Sequence, residues 1–134
     1  MRDLNPRAWS IDSECWCTRV DYDGYKKEWS GIVPVFAPDN RSKYIGEVED
    51  TNIIVELPTG LKDKNGKEIY QGDIVLDCYD GDDAFIVEWD KDTASFVLTD
   101  TEHILSVSFD NFYPDKYLEI IGNIHENKEL LESE

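Results

Sequence analysis

Few residues in this chain are capable of metal or nucleophilic chemistry. Cys15-Trp16-Cys17 sets two thiols on one side of an extended segment, and Cys78, His103 and His125 are the only other soft ligands. A structural zinc site draws on two ligand pairs at short spacing, and no second pair exists here. The cysteines are therefore read as core or half-exposed side chains. Asp77, Asp80, Asp82 and Asp83 crowd one loop. A calcium loop of the EF-hand type needs oxygen ligands at positions 1, 3 and 5, Gly at 6 and Glu at 12. Counting from Asp77 places Tyr79 third and Gly81 fifth, so the pattern fails and the loop reads as solvated. Its only metal chemistry would be weak, opportunistic cation binding. With two histidines, no nucleophile set beside a base and no glycine-rich phosphate loop, no catalytic motif is recognisable. Carboxylate pairs such as Asp21 and Asp23 are expected by chance among 30 acids. We expect no enzyme, no cofactor and no resident metal.

Aromatic side chains are the stronger candidates for function, through binding. Trp16, Tyr22, Tyr25 and Trp29 lie in the less regular half of the sequence and form the candidate interface. The same aromatics suit self-association into a homo-oligomer. Trp89 falls on a regularly alternating face and is assigned to the core.

Charge narrows the partners. The net charge is −17, from 13 basic and 30 acidic residues. Residues 1–56 carry seven Lys and Arg against eleven Asp and Glu, and residues 57–134 carry six against nineteen. Asp77, Asp80, Asp82, Asp83, Asp90 and Asp92 belong to a stretch whose only base is Lys91, and such a surface repels phosphate backbones. It promotes solubility or steers a basic partner. The exception is a lysine-flanked hairpin with Lys62, Lys64 and Lys67, a small site for weak nucleic-acid contact.

Positioning falls to short strands. Residues 16–22 alternate, with Trp16, Thr18, Val20 and Tyr22 on one face, and Gly24 supplies the following turn. Gly31 and Pro34 interrupt residues 29–36, which read as an edge strand or loop. Asn65-Gly66 predicts a type I′ hairpin, Gly72-Asp73 a second turn with the Asp73 side chain capping it. A meander follows: residues 74–76, then Phe85, Val87 and Trp89 on one face, a turn at 90–92 and a returning strand at 95–99. Ile104, Val107 and Phe109 mark another strand, and residues 117–121 and 123–125 close the pattern around Gly122. Only residues 126–134 look helical. Five or six short strands with regular turns point to a small barrel or sandwich. No apolar run reaches the ~18–20 residues of a membrane helix. The first ten residues hold Arg2, Asp3 and Arg7 without an apolar stretch, so no leader is expected. An odd cysteine count agrees with a reducing compartment, and a cytoplasmic location is expected.

The run Thr59-Gly60-Leu61-Lys62-Asp63-Lys64-Asn65-Gly66-Lys67-Glu68-Ile69-Tyr70-Gln71-Gly72-Asp73-Ile74-Val75 closely resembles the central signature of the YopX family. Ile120-Ile121-Gly122-Asn123-Ile124-His125-Glu126-Asn127 with Glu129-Leu130-Leu131, and Arg7-Ala8-Trp9 at the start, are similar to further elements of that family. Ser10, Pro58, His125 and Lys128 depart from its usual residues, and residues 10–56 match loosely. The resemblance implies a bacteriophage or prophage origin and an SH3-like β-barrel core, and it carries no known activity. Within the signature, Gly60, Gly66 and Gly72 read as turn positions and Leu61, Ile69, Ile74 and Val75 as core. Gly60, Leu61, Asn65, Gly66, Tyr70, Gly72, Asp73 and Gly122 are therefore assigned to folding.

The expected protein is mainly β. It is a single domain, 1–134, with a variable β-rich N-terminal part over 1–56 and an SH3-like small β-barrel core and tail, including a short C-terminal helix, over 57–131. The expected role is non-catalytic binding of a host or phage protein. The alternative is a nucleic-acid-related role, by DNA mimicry through the acidic surface or by weak binding through the lysine hairpin.

Overall fold

A computed structural model describes residues 5–79, 83–102, 106–109 and 113–131. The chain is mainly β and divides into two compact units, Met1–Leu57 and Pro58–Glu134.

The first unit contains β1 (Arg7–Ser10), β2 (Cys15–Trp16), β3 (Arg19–Asp23), β4 (Glu28–Ala37), β5 (Asn40–Asp50) and β6 (Ile53–Glu56). They form two antiparallel sheets, ordered β2-β1-β6 and β3-β4-β5. The single alternating strand expected over residues 16–22 is split between them. Cys17 N–H donates to the Ala8 carbonyl at 2.9 Å and Thr18 N–H to the Ile32 carbonyl at 2.7 Å. The chain thus changes sheets at this dipeptide. β4 is a central strand, not an edge strand or loop. Pro34 lies opposite Glu47, and the register shifts soon after, between Val35 and Phe36; a neighbouring irregularity is where a sheet accommodates the missing donor. The core is small, with Ala8 and Val33 buried beside Ser10 and Glu56. Arg7 Nε satisfies the Glu56 carboxylate at 2.9 Å. Ser10 Oγ donates to Asp50 Oδ2 at 2.5 Å and accepts from Ser13 N–H at 3.1 Å.

The second unit contains β7 (Pro58–Lys62), β8 (Glu68–Tyr70), β9 (Asp73–Asp77), β10 (Asp83–Asp90), β11 (Ser95–Asp100), β12 (Ser106–Ser108), α1 (Pro114–Tyr117) and β13 (Leu118–Asn123). β7 and β8 make a two-stranded ribbon, and the rest an antiparallel sheet ordered β12-β11-β10-β9-β13. Among the described residues this sheet is open, with β12 and β13 at its edges, where the sequence reading expected closure. One face buries Val75, Phe85, Val87 and Leu98, joined by Ile69, Phe109 and Leu118. Ile74 and Ile86 are buried too, and they project from the opposite face because they sit one residue from Val75 and Phe85.

Two core assignments fail. Trp89 is 48% exposed, because it stands at the last position of its face before the β10–β11 turn and packs only edge-on against Phe96, at 5.0 Å. Leu61 is 39% exposed near the end of the ribbon strand. The expected C-terminal helix is a 3-10 turn over Lys128–Leu131. Ile104 and residues 132–134 lie outside the described residues.

Three hairpins share one loop. β1–β2 closes on Ser10 and Cys15, β3–β4 on Asp23 and Glu28, and β10–β11 on Asp90 and Ser95. In each, the first residue's side chain accepts a loop N–H: Ser13 on Ser10, Tyr25 and Lys26 on Asp23, Asp92 on Asp90. In each, the fourth loop residue is left-handed: Glu14, Lys27 and Ala94, with φ of 53°, 56° and 53°. Gly24 opens the β3–β4 turn, as expected, and the left-handed position in it falls on Lys27.

Candidate functional site

The signature segments are spent on holding the second unit together. Gly60, Gly66 and Gly72 adopt φ of 87°, 83° and 91°, a region closed to most side chains; Gly60 does so within β7, where the register breaks, and not in the turn expected for it. The Asn65-Gly66 turn is not type I′, since Asn65 keeps a negative φ. Instead Gly66 N–H donates to the Asp63 carbonyl at 2.9 Å and Asp63 N–H to the Lys67 carbonyl at 2.8 Å. This is a four-residue turn, 63–66, ending on a left-handed glycine. Asp63 selects it. Its Oδ1 accepts from Asn65 N–H and Lys67 N–H, each at 2.9 Å, and its Oδ2 reaches across to Ile120 N–H at 3.0 Å. Burial raises the pKa of this carboxyl, but the N–H groups of Ile120, Lys67 and Asn65, with the Lys67 charge, outweigh it and leave it below its ordinary value.

Asp73 works alike, its Oδ2 accepting from Tyr70 N–H at 2.8 Å. The Gly72 carbonyl accepts from Ile124 N–H at 3.0 Å. Asn123 organises the C-terminal signature: Oδ1 accepts from His125 and Glu126 N–H, and Nδ2 donates to Glu126 Oε1. Gly122 leaves room for the Asn127 side chain, which accepts from Asn123 N–H at 3.1 Å.

The expected acidic surface is partly spent in the same way. Asp77 is largely buried and its Oδ1 accepts from Tyr79 N–H at 3.0 Å. Asp83 lies opposite it across the β9–β10 ladder. Asp90 closes the β10–β11 loop, taking Asp92 N–H at 3.0 Å and Thr93 Oγ1 at 3.1 Å. Asp80, Asp82 and His103 lie outside the described residues. The three hairpin lysines have different surroundings. Lys64 Nζ is 3.6 Å from Glu119, Lys67 adjoins Asp63, and Lys62 faces a cleft of about 420 Å³ shared with Leu61, Phe109, Tyr113 and Asp115. Tyr113 there is left-handed, at φ 48° and ψ 67°.

Among the described residues no group of three or more His, Cys, Asp or Glu converges on one point. The thiols of Cys15 and Cys17 are both pushed up. Burial is the main cause; the Asp50 charge adds for both, and Cys15 adds for Cys17. Cys78 is exposed.

The predicted interface aromatics separate into two groups. Trp16 lies opposite Trp9 in the β1–β2 pairing, with ring centroids 5.2 Å apart, and the Arg7 guanidinium sits 4.4 Å over its ring. Arg7 thus bridges Trp16 and the buried Glu56, and Trp16 is built into the small core's rim. Tyr22 and Trp29 are cross-strand neighbours on the other sheet, 5.1 Å apart. Tyr25 crowns the loop joining their strands and is fully exposed, while its N–H is held by Asp23 Oδ1 at 2.9 Å. Tyr22, Tyr25 and Trp29 therefore share one hairpin end, and Trp16 belongs to a strand of the other sheet.

Sequence reasoning missed one aromatic pair and one cluster of three tyrosines. Phe36 and Tyr44 are paired across β4 and β5, at 6.1 Å and both exposed. Tyr117 contacts Tyr79 at 4.8 Å and Tyr113 at 6.4 Å. Their signal was present as unexplained aromatics in weakly alternating segments.

No helix among the described residues is long and apolar enough to cross a membrane. The crystal structure of protein EF1440 from Enterococcus faecalis is similar to this chain, with a TM-score of 0.66 and 26% identity over 98% of this chain and 100% of that one. No curated protein matches the chain. A family model described as YopX protein matches residues 6–132, nearly the whole length, and the chain belongs to the YopX family.

Proposed function

We propose that this chain is a non-catalytic interaction module, of bacteriophage or prophage origin, that binds a host or phage protein in the cytoplasm. The observation that carries the reading is the Tyr25 loop. A side chain with no cover sits on a backbone already fixed by Asp23, in the loop next to the tilted Tyr22–Trp29 pair. Aromatic anchors on preorganised loops lose little entropy on binding, which is what makes them effective contact residues. The second unit acts as scaffold. We read it as a variant of the SH3-like barrel, supported by the Asp63 clasp that ties the β7–β8 ribbon to β13. Its excess of carboxylates steers a partner of opposite charge.

Co-purification from a bacterial lysate at low and high salt tests the reading. A partner retained by the wild-type chain, weakened by salt and lost with Tyr25→Ala, supports it. Recovery of the same partner by Tyr25→Ala, or of none by the wild type, contradicts it.

A further inference from the structure

We propose that two copies of this chain pair edge to edge through β5, antiparallel, extending the β3-β4-β5 sheet across a two-fold axis near Gly46. β5 spans Asn40–Asp50, 11 residues, and ends its sheet. Among the described residues it pairs with β4 alone, so its outer edge has no strand partner and is open to strand addition. The edge carries Tyr44, Ile45 and Val48, which are 54%, 54% and 51% exposed. Pairing with β4 runs from Gly46 to Tyr44 without an opposite residue for Ile45. Nothing lies within 4 Å of where a Cβ on Gly46 would stand, so no side chain covers the sheet face at this point.

Charge order selects the occupant. Lys43 precedes the apolar stretch, and Glu47 and Glu49 follow it. A strand with basic start and acidic end is complementary to itself only when reversed. With the axis at Gly46, Lys43 of each copy comes into reach of Glu49 of the other, and Tyr44 comes opposite Val48. A parallel partner would set like charges together, which is unfavourable. Lys43 and Glu49 are exposed and form no ion pair within the described residues. This surface is distinct from the Tyr25 loop, which lies at the other end of β4.

Sedimentation of the full chain over a range of concentration tests the pairing, using Lys43→Glu and the double variant Glu47→Lys/Glu49→Lys. The wild type is expected to dimerise. Each variant is expected to weaken the dimer more than about tenfold, because like charges then face each other. A mixture of the two variants is expected to recover a heterodimer. Unchanged circular dichroism melting confirms that each variant folds. A wild type that stays monomeric, a dimer indifferent to both variants, or a mixture that fails to recover would each overturn the proposal.

Discussion

Asp63 holds the backbone N–H of Ile120, 57 positions further along the chain, at 3.0 Å. One carboxylate thereby fixes both the β7–β8 loop and the irregular stretch of β13. Asp63→Ala is expected to destabilise the second unit by about 3 kcal/mol, since three N–H groups lose a charged acceptor. Asp63→Asn keeps the shape and should lose about 1–2 kcal/mol. Urea titration with tryptophan fluorescence measures both.

The same carboxyl sets a pH dependence. Its folded-state pKa lies below its ordinary value. Its contribution is therefore complete above about pH 4, the unfolded value, and is lost as pH falls through the lower folded value. Stability measured from pH 6 downward should fall less steeply for Asp63→Asn than for the wild type. Parallel curves would show that Asp63 does not carry this dependence.

Left-handed loop residues give a prediction of opposite sign. Ala94 has φ 53°, a conformation that costs a residue with a Cβ about 1–2 kcal/mol. Glycine removes that strain and loses about 0.5–1 kcal/mol in entropy. Ala94→Gly should stabilise by a few tenths to about 1 kcal/mol. At Gly24 a Cβ would meet nothing within 4 Å and the φ is not left-handed, so Gly24→Ala should stabilise too, by about 0.4–1 kcal/mol. Thermal melts measure both variants, and a lowered melting temperature for either would contradict the backbone conformation assigned to its position.

Gly31 is a glycine for a different reason. A Cβ there would run into both Sγ and Cβ of Cys17. Gly31→Ala should cost about 1–3 kcal/mol. Adding Cys17→Ala should recover only part of that, because the Cβ contact persists. A double-mutant cycle reads the coupling directly.

Thiol reactivity follows from burial and charge. Cys78 is exposed, whereas Cys15 and Cys17 are partly buried and pushed up, by burial first and by Asp50 in addition. Thiolate is the reacting form. Ellman's reagent should modify one thiol rapidly and two slowly in the native chain. Asp50→Asn should speed the slow phase.

How far the sequence reached depends on the range over which its signals act. Turns were legible where glycine was obligatory, as at Gly66 and Gly72. Their geometry was misread where a side chain chose it: Asp63 overrides the Asn65-Gly66 preference, and in the turn that Gly24 opens the left-handed residue is Lys27. Alternation found the buried face of β9 to β11 but not its end, so Trp89 was placed in the core. The sheet change at Cys17 and Thr18 left no local mark, because both halves alternate. At the candidate site, aromatic content pointed to Tyr22, Tyr25 and Trp29. It could not separate them from Trp16, whose commitment to Arg7 and Trp9 depends on strand pairing.

The most direct measurement of the central claim compares partner recovery by the wild-type chain and Tyr25→Ala, expressed in the same cells and matched for melting temperature. A protein that accompanies the wild type and is depleted from the variant is the predicted result. Equal recovery by both proteins, at equal stability, would show that the exposed hairpin is not where this protein makes its contacts.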